Sequence, residues 1–408
     1  MSRFSGLLGV VVLLALAVAL SSDRRRIRLR TVAYAFALQV AVAGIILYLP
    51  YGSTLLSGVV RGVQGVIDYA GDGIDFVFGT NTGDALGFTV AFNVLPVIVF
   101  FSALMSVLYY LGIMQVIVAV IGGALARLLG TTRAESMTAA SNIFVGHTEA
   151  PLVVRPWVEG MSESELFAVM TGGCATIAGA VMAAYASMGV DLNYLLTASF
   201  MAAPGGLMMA KIILPPDEAG AAGRQQAATV AEERAVNVFA AVGDGALIGL
   251  KLALNVGALL LAFVAMIALV NGIIGGVAGW FGYPDVTLQW LLGKALAPLA
   301  FLLGVPWADA TAAGSLIGQK FVLNEFFAYA NFVGVKDAMS AQAQVVVTFA
   351  LCGFANLSAI AMLLGGIGAI APSRRDDVAR LGLKAVTAGT LANLMSATLA
   401  GLFFALSG

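Results

Sequence analysis

The chain has 408 residues, of which 60% are hydrophobic and 11% charged, with a formal net charge of −1. Ordinary soluble domains carry roughly 25% charged residues, and a soluble fold of this size could not cover so much apolar surface. The balanced charge leaves no electrostatic footprint for nucleic acid. Apolar runs reach about 20 residues, the length of a spanning helix, and do not alternate over about ten as barrel strands do, so the chain reads as an all-α polytopic membrane protein.

The first apolar run, Gly6 to Leu20, follows Arg3 and ends in Ser21-Ser22-Asp23-Arg24-Arg25-Arg26. A basic block is not a small-residue cleavage site, so the run is read as a retained first span and not as a signal peptide. Five arginines between Arg24 and Arg30 place this loop in the cytoplasm and the N-terminus outside. A second span runs from about Thr31 to Leu49. From Ser53 to Phe78, Val59, Val60, Val63, Val66 and Ile67 oppose Arg61, Gln64 and Asp68, a pattern suited to a helix lying along the interface. A third span, about Phe88 to Val118, returns inside, where Arg127 and Arg133 follow.

Further spans are expected near Glu165 to Ser187, Tyr194 to Ile213, Ala246 to Ile274, Val345 to Ile370 and Leu383 to Leu406. The polar stretch from Pro215 to Asn237 reads as a cytoplasmic connector, and Arg374-Arg375 marks the inside again. The sum is eight transmembrane helices with both termini outside. Two segments remain, about Thr131 to Trp157 and about Ala308 to Asn331, each interrupted by glycine, proline or polar residues. Each fits a re-entrant hairpin, and the charge register opens the first from the cytoplasm and the second from outside.

These hairpins hold Glu149 and Glu325. An ionisable side chain at membrane depth costs at least ~2.5 kcal/mol on insertion scales and marks a functional site by default. The two halves correspond in order: Ala139-Ala140-Ser141-Asn142 leads to Glu149 and Ala312-Ala313-Gly314-Ser315 to Glu325, and spans containing Cys174-Ala175-Thr176-Ile177 and Cys352-Gly353-Phe354-Ala355-Asn356 follow. With hairpins of opposite hand this is an inverted repeat, and paired interrupted segments point to a secondary transporter's midplane site. Cys174 and Cys352 are too few for a disulfide framework or metal site, and the single histidine, His147, excludes a histidine-cluster metal centre.

Gly146-His147-Thr148-Glu149-Ala150-Pro151 resembles the first hairpin of concentrative nucleoside transporters, and Lys320-Phe321-Val322-Leu323-Asn324-Glu325-Phe326-Phe327-Ala328-Tyr329 resembles their second. Cys352-Gly353-Phe354-Ala355-Asn356 and Ala371-Pro372-Ser373-Arg374-Arg375 resemble the unwound span that follows and its cytoplasmic end. The resemblance implies a homotrimeric, sodium-coupled importer of nucleosides such as uridine in the inner (plasma) membrane, working as an elevator, with Na⁺ as coupling ion and no organic cofactor. It implies scaffold and transport domains: residues 1–125 as scaffold helices and interfacial helix, 126–214 as first hairpin and transport repeat, 215–290 as connector and scaffold helix, and 291–408 as second hairpin and transport repeat. It also implies roles. His147, Thr148 and Glu149 would face the base, with Val181 as apolar contact; Glu325 and Asn356 would hold the ribose, with Phe354 nearby. Sodium would be held by side-chain oxygens of Asn142 and Thr176 and backbone carbonyls of Val145 and Ile177.

Two positions depart from the family pattern. His147 stands where glutamine is usual, and an imidazole, with an ordinary pKa of about 6.5, opens a proton-coupled alternative. Ala359 stands where the family has serine, and Ser358 is one position early, about 100° round a regular helix. A serine in the place of Ala359 would supply a sugar hydrogen bond. An intramembrane hydrolase is opposed by the lack of a second histidine and of Gly-x-Ser-x-Gly, so no enzyme is expected. A channel is opposed because the polar residues lie in hairpins and not in a pore-lining ring.

Overall fold

The computed structural model describes residues 2–48, 50–79, 89–216 and 235–407, and among them every regular element is a helix. The arginine loop joins α1 (Ser2–Ala19) to α2 (Leu29–Leu47). Arg24 donates to the Val18 and Ala19 carbonyls at the end of α1, which places positive charge where the helix dipole is negative. The amphipathic segment forms one long helix, α3 (Pro50–Phe78).

The third expected span is shorter than Phe88 to Val118. Phe88 lies outside the described residues, and after α4 (Val90–Asn93) and α5 (Leu95–Tyr110) the chain turns at Gly112, φ +78°. A separate helix, α6 (Ile113–Leu129), then ends at Gly130, φ +65°. Both turns use the left-handed region that glycine alone enters without penalty. That glycine pair, invisible in a hydropathy pattern, divides the apolar run.

The first turn-back also differs from a symmetric hairpin. Its entering arm is α7 (Arg133–Ser141), started by a capping box of Thr132 and Glu135. Residues 142–149 are not regular helix, and the return consists of a 3-10 stretch, Ala150–Val154, and the single turn α8 (Arg155–Val158). Pro151 and Pro156 lack the N–H that a longer helix needs. Next come α9 (Glu163–Ala175), with a second capping box at Ser162 and Glu165, α10 (Gly179–Ser187) and α11 (Leu192–Ile213). Between α9 and α10 the helix is broken at residues 176–178.

Most of the expected connector, residues 217–234, lies outside the described residues. Helix α12 (Val238–Gly279) has 42 residues, more than the expected Ala246 to Ile274. One element was not anticipated: α13 (Leu288–Leu302), capped by Thr287, which bends by 116° into α14 (Trp307–Val322). In the second interrupted segment α14 is followed, after residues 323–324, by α15 (Glu325–Val335). Helices α16 (Ala341–Leu351) and α17 (Ala359–Ile370) flank the second break, and α18 (Arg375–Ser407) closes the described chain. Leu29–Leu47, Val90–Tyr110, the interrupted Glu163–Ser187, Leu192–Ile213, Val238–Gly279 and Pro372–Ser407 are long and apolar enough to cross a bilayer, while Phe4–Ala19 and the two halves α16 and α17 are shorter apolar helices.

Contacts sort the loops to two ends. At one end Ser22 donates to Ile213 O (2.9 Å), Arg374 donates to the Met161 carbonyl, and Arg380 pairs with Glu163 at 2.7 Å. There too, buried Lys211 of α11 pairs with Glu135 of α7 and donates to Ser164 of α9 (3.0 Å). At the other end Lys336 donates to Gly189 O (2.6 Å) and Ser340 to Asp309. The base of the first turn-back thus lies with the arginines and that of the second at the opposite end. Gly6 of α1 packs on Leu402 of α18, so the two described ends of the chain share the side away from the arginines. The largest fully buried side chains, among them Tyr185, Tyr329, Phe167, Phe326 and Phe349, belong to α9, α10, α15 and α16. The core is therefore built around the breaks.

Candidate functional site

The two breaks cross. Phe354 N–H of the second donates to the Thr176 carbonyl of the first at 3.0 Å. Each turn-back is tied to the break that follows it: Gly179 N–H donates to Phe144 O (2.8 Å) and Leu357 N–H to Phe321 O (3.2 Å). A broken helix exposes backbone groups that need partners, and here each break supplies partners for the other and for a tip. The two tips meet at this crossing from opposite ends of the molecule.

Glu325 opens α15, where the helix dipole favours a carboxylate, and Asn324 caps that helix by accepting from Phe327 N–H (2.8 Å). The Glu325 side chain is buried, and each of its oxygens accepts one hydrogen bond: Oε1 from the Tyr185 hydroxyl and Oε2 from Asn356 Nδ2, both at 3.0 Å. A carboxylate offers about four lone-pair sites, so capacity for further donors remains. Asn356 is itself held, its Oδ1 accepting from Ser358 Oγ (2.7 Å) and Ala359 N–H (3.0 Å). The serine one position early is thus engaged in orienting Asn356. Tyr185 stacks 4.4 Å from Tyr329, centroid to centroid, and 5.4 Å from Phe326.

At the first tip, the His147 ring lies edge-on to Phe354, centroids 4.8 Å apart. His147 is buried with no partner on either nitrogen. Glu149 accepts from Gly146 N–H through Oε2 (3.0 Å), which closes the tip on itself. Thr148 is exposed and packs on α17, where a Cβ at Gly366 would lie 3.2 Å from Thr148 Cα. Val181 is buried on the first turn of α10. His147, Phe354, Glu325 and Asn356 are therefore linked by direct contacts through the crossing, whereas Thr148 looks to α17.

Of the expected sodium ligands, Asn142 and Thr176 both meet Gly172 of α9. Asn142 caps α7, and its Nδ2 would lie 3.3 Å from a Cβ at Gly172 of α9. Thr176 Oγ1 donates to Gly172 O at 3.0 Å, the usual fate of a threonine hydroxyl in a helix, and keeps its lone pairs. Both polar atoms of the buried Asn142 amide lack a partner. Among the described residues no donor reaches the Val145 or Ile177 carbonyl. Buried amides and carbonyls are normally paired. A hard cation requires oxygens with free acceptor capacity, and the orphaned Asn142 amide with the undonated Val145 and Ile177 carbonyls and the Thr176 hydroxyl is a donor set whose chemistry fits Na⁺.

Three groups at the crossing escape the sequence reading, Tyr185 beside Glu325 and two more. Lys320 was noted only as part of a motif, and Asn393 not at all. Lys320 Nζ donates to Ala350 O and Asn393 Oδ1, each at 2.8 Å, and Asn393 Nδ2 donates to Ala175 O (2.6 Å) and Cys352 O (2.8 Å). Asn393 sits in the middle of a spanning helix, where a polar amide is a signal of the same kind as the glutamates but weaker, since it carries no charge.

Comparison with known proteins covers nearly the whole chain. Family models described as Na⁺ dependent nucleoside transporter N-terminus, nucleoside recognition (Gate), and Na⁺ dependent nucleoside transporter C-terminus match residues 8–81, 91–191 and 194–401. The nucleoside permease NupC of Helicobacter pylori is 49% identical over 381 residues, which are 91% of this chain and 90% of that protein. Among solved structures, a doubly substituted CNTnw in an outward-facing state superposes with a TM-score of 0.96 and 53% identity, covering 100% of this chain and 99% of that one. CNTnw in an inward-facing substrate-bound state gives 0.94 at 53% identity with the same coverage.

Proposed function

This chain belongs to the concentrative nucleoside transporter family, and from that premise we propose that it is a sodium-coupled symporter importing uridine-like nucleosides by an elevator mechanism. Its relatives are permeases and transporters, not enzymes. The observation that carries the sodium reading is the set of unpartnered oxygens at the first break: the Asn142 amide and the Val145 and Ile177 carbonyls, beside Thr176 Oγ1. In a membrane interior such groups are expensive to leave bare, and a bound Na⁺ supplies the charge they lack.

Sodium binding and nucleoside binding share one scaffold. The first break holds the cation ligands, and through the Thr176–Phe354 bond it fixes the second break, which carries Asn356 and so Glu325. A cation that orders the first break therefore orders the ribose pocket, while His147 presents two free nitrogens to the base. Glu149, Thr148 and Val181 complete the first side of the pocket in this reading, and Phe354 separates base from sugar. Ion and nucleoside cross together in this reading because the ion orders the break on which the nucleoside pocket is built.

The same reading takes the turn-backs as oppositely oriented re-entrant hairpins of an inverted repeat with eight spans. The arginine-rich end faces the cytoplasm and both termini face outward across the inner membrane. It takes the protein as a homotrimer, as the family resemblance implies. The test is uptake of labelled uridine into proteoliposomes at fixed pH, with an inward sodium gradient or with choline in its place. Uptake is expected to require sodium, and Asn142→Leu to remove the sodium stimulation while leaving the protein folded. Equal uptake in choline, with a rise on acidification outside, would replace sodium by proton coupling.

A further inference from the structure

The helices that stop at the crossing, α9 and α16, both point their carboxyl ends at it, where unpaired carbonyls carry partial negative charge. The two breaks meet that charge differently. At the first, the Asn142 amide and the Val145 and Ile177 carbonyls stay without donors. At the second, the helix end is already occupied by a cation from the chain itself. Lys320 Nζ takes the last turn of α16 through Ala350 O and reaches Asn393, whose amide takes Cys352 O and, at the end of α9, Ala175 O. Lys320 and Asn393 are 3% and 1% exposed.

The surroundings of this ammonium resemble an ion site more than a salt bridge. Among the described residues Lys320 makes no ion pair with a carboxylate; its direct partners are two oxygen dipoles. Glu325 lies within electrostatic range and not in contact. There is no space for a side chain between the node and the second break: a Cβ at Gly353 would lie 2.3 Å from Asn393 Oδ1. A buried lysine held by one helix-end carbonyl and an amide oxygen occupies the kind of position that, in broken transporter helices, a coupling ion takes.

We propose that Lys320 is a tethered cation, performing permanently at the second break the task that the mobile Na⁺ performs at the first. It keeps the α16 end and the Glu325 carboxylate electrostatically balanced through every stage of the cycle. The second break therefore needs no exchangeable ion, and ion coupling is confined to the first. This rests on the reading of the first break as the sodium site. Lys320 is on this account a positioning residue: it touches no substrate and acts through Asn393, the helix ends and the field at Glu325.

The test compares Lys320→Met, which keeps length and loses charge, with Lys320→Arg, which keeps charge and adds bulk. Uridine affinity is measured by calorimetry and ²²Na⁺ binding by equilibrium isotherm on the full-length purified protein. Wild type is expected to bind one sodium per protomer. Lys320→Arg is expected to hold uridine within about tenfold of wild type, and Lys320→Met to lose at least about 100-fold, the size expected when a buried charged network is broken on one side. At high NaCl, Lys320→Met is expected to recover part of that loss while binding a second sodium per protomer. If Lys320→Met matches or exceeds Lys320→Arg with an unchanged sodium isotherm, the ammonium only fills space and the proposal falls. Two sodium ions per wild-type protomer would also overturn it, a result that depends on neither variant folding. If wild type binds no sodium, the sodium reading fails by itself, and the comparison of arginine with methionine still decides whether charge at residue 320 matters.

Discussion

Both oxygens of Glu325 are engaged before any ligand arrives, one by Tyr185 and one by Asn356. This fixes the plane of the carboxylate, so its free lone pairs have a set direction, and in the proposed role a ribose would meet them without reorganising the site. Hydrogen bonds to a charged partner are worth about 1.5–3 kcal/mol each. Glu325→Gln, which loses the charge and forces an N–H₂ toward either Tyr185 or Asn356, is expected to weaken uridine by about 100-fold in calorimetry. Tyr185→Phe removes only an orienting hydroxyl, and a loss of about tenfold, or about 1.4 kcal/mol, is expected. Normal affinity in Glu325→Gln would take the carboxylate out of sugar recognition. His147 makes a different case, because neither nitrogen is committed to the protein. His147→Gln is expected to change the ranking of uridine, cytidine and adenosine in competition binding; an unchanged ranking would reduce the imidazole to a packing partner of Phe354.

The elements divide sharply into those that hydropathy and charge could reveal and those they could not. Long apolar helices such as α2, α11 and α12 and the amphipathic α3 were legible because burial in lipid demands one composition over many residues. The broken helices were legible through their polar interruptions, and the glutamates through their energetic cost. What escaped depends on single residues acting on geometry. Gly112 converts one apolar run into α5 and α6 and Gly130 ends the second of them, and Pro151 and Pro156 leave the first turn-back with a short return arm. Helix α13 escaped because its 116° bend into α14 turns one stretch of chain into two elements. At the site, residues within one motif were found together, whereas Tyr185 and Asn393 reach it from distant helices. Their partners lie 140 residues away, in the pair Tyr185–Glu325, and 218 away, in the pair Asn393–Ala175. Nothing local in the sequence encodes such pairings.

At the scale of the molecule, the elevator proposed above would need one body that moves and one that stays, and close packing between helices bears on where that division would run. Helices α5 and α12 meet at close range, a Cβ at Gly249 falling 2.7 Å from Ser102 Cβ, and together they suit the fixed body. The expectation from sequence puts α1 and α2 with them. We propose instead, from their contacts, that both would travel with the hairpins. Gln39 of α2 is 0% exposed and donates to Ser396 of α18 at 2.9 Å, and sliding α2 past α18 would strip that buried amide of its partner at a cost of about 1–3 kcal/mol. Helix α18 in turn carries Asn393 and is tied to both breaks. The decisive pair is at the end of the molecule away from the arginines, where a Cβ at Gly6 would lie 2.9 Å from Leu402 Cγ. The two Cβ atoms then fall near the separation a disulfide requires, about 3.5–4.5 Å. In the double variant Gly6→Cys, Leu402→Cys, oxidation is expected to lock α1 to α18 and leave sodium-driven uridine uptake within about twofold of the reduced protein, since a bond inside one rigid body opposes no relative motion. Uptake that is lost on oxidation and restored by dithiothreitol would return α1 to the fixed body. The native cysteines Cys174 and Cys352 are buried, so the engineered pair is the one that oxidant reaches first.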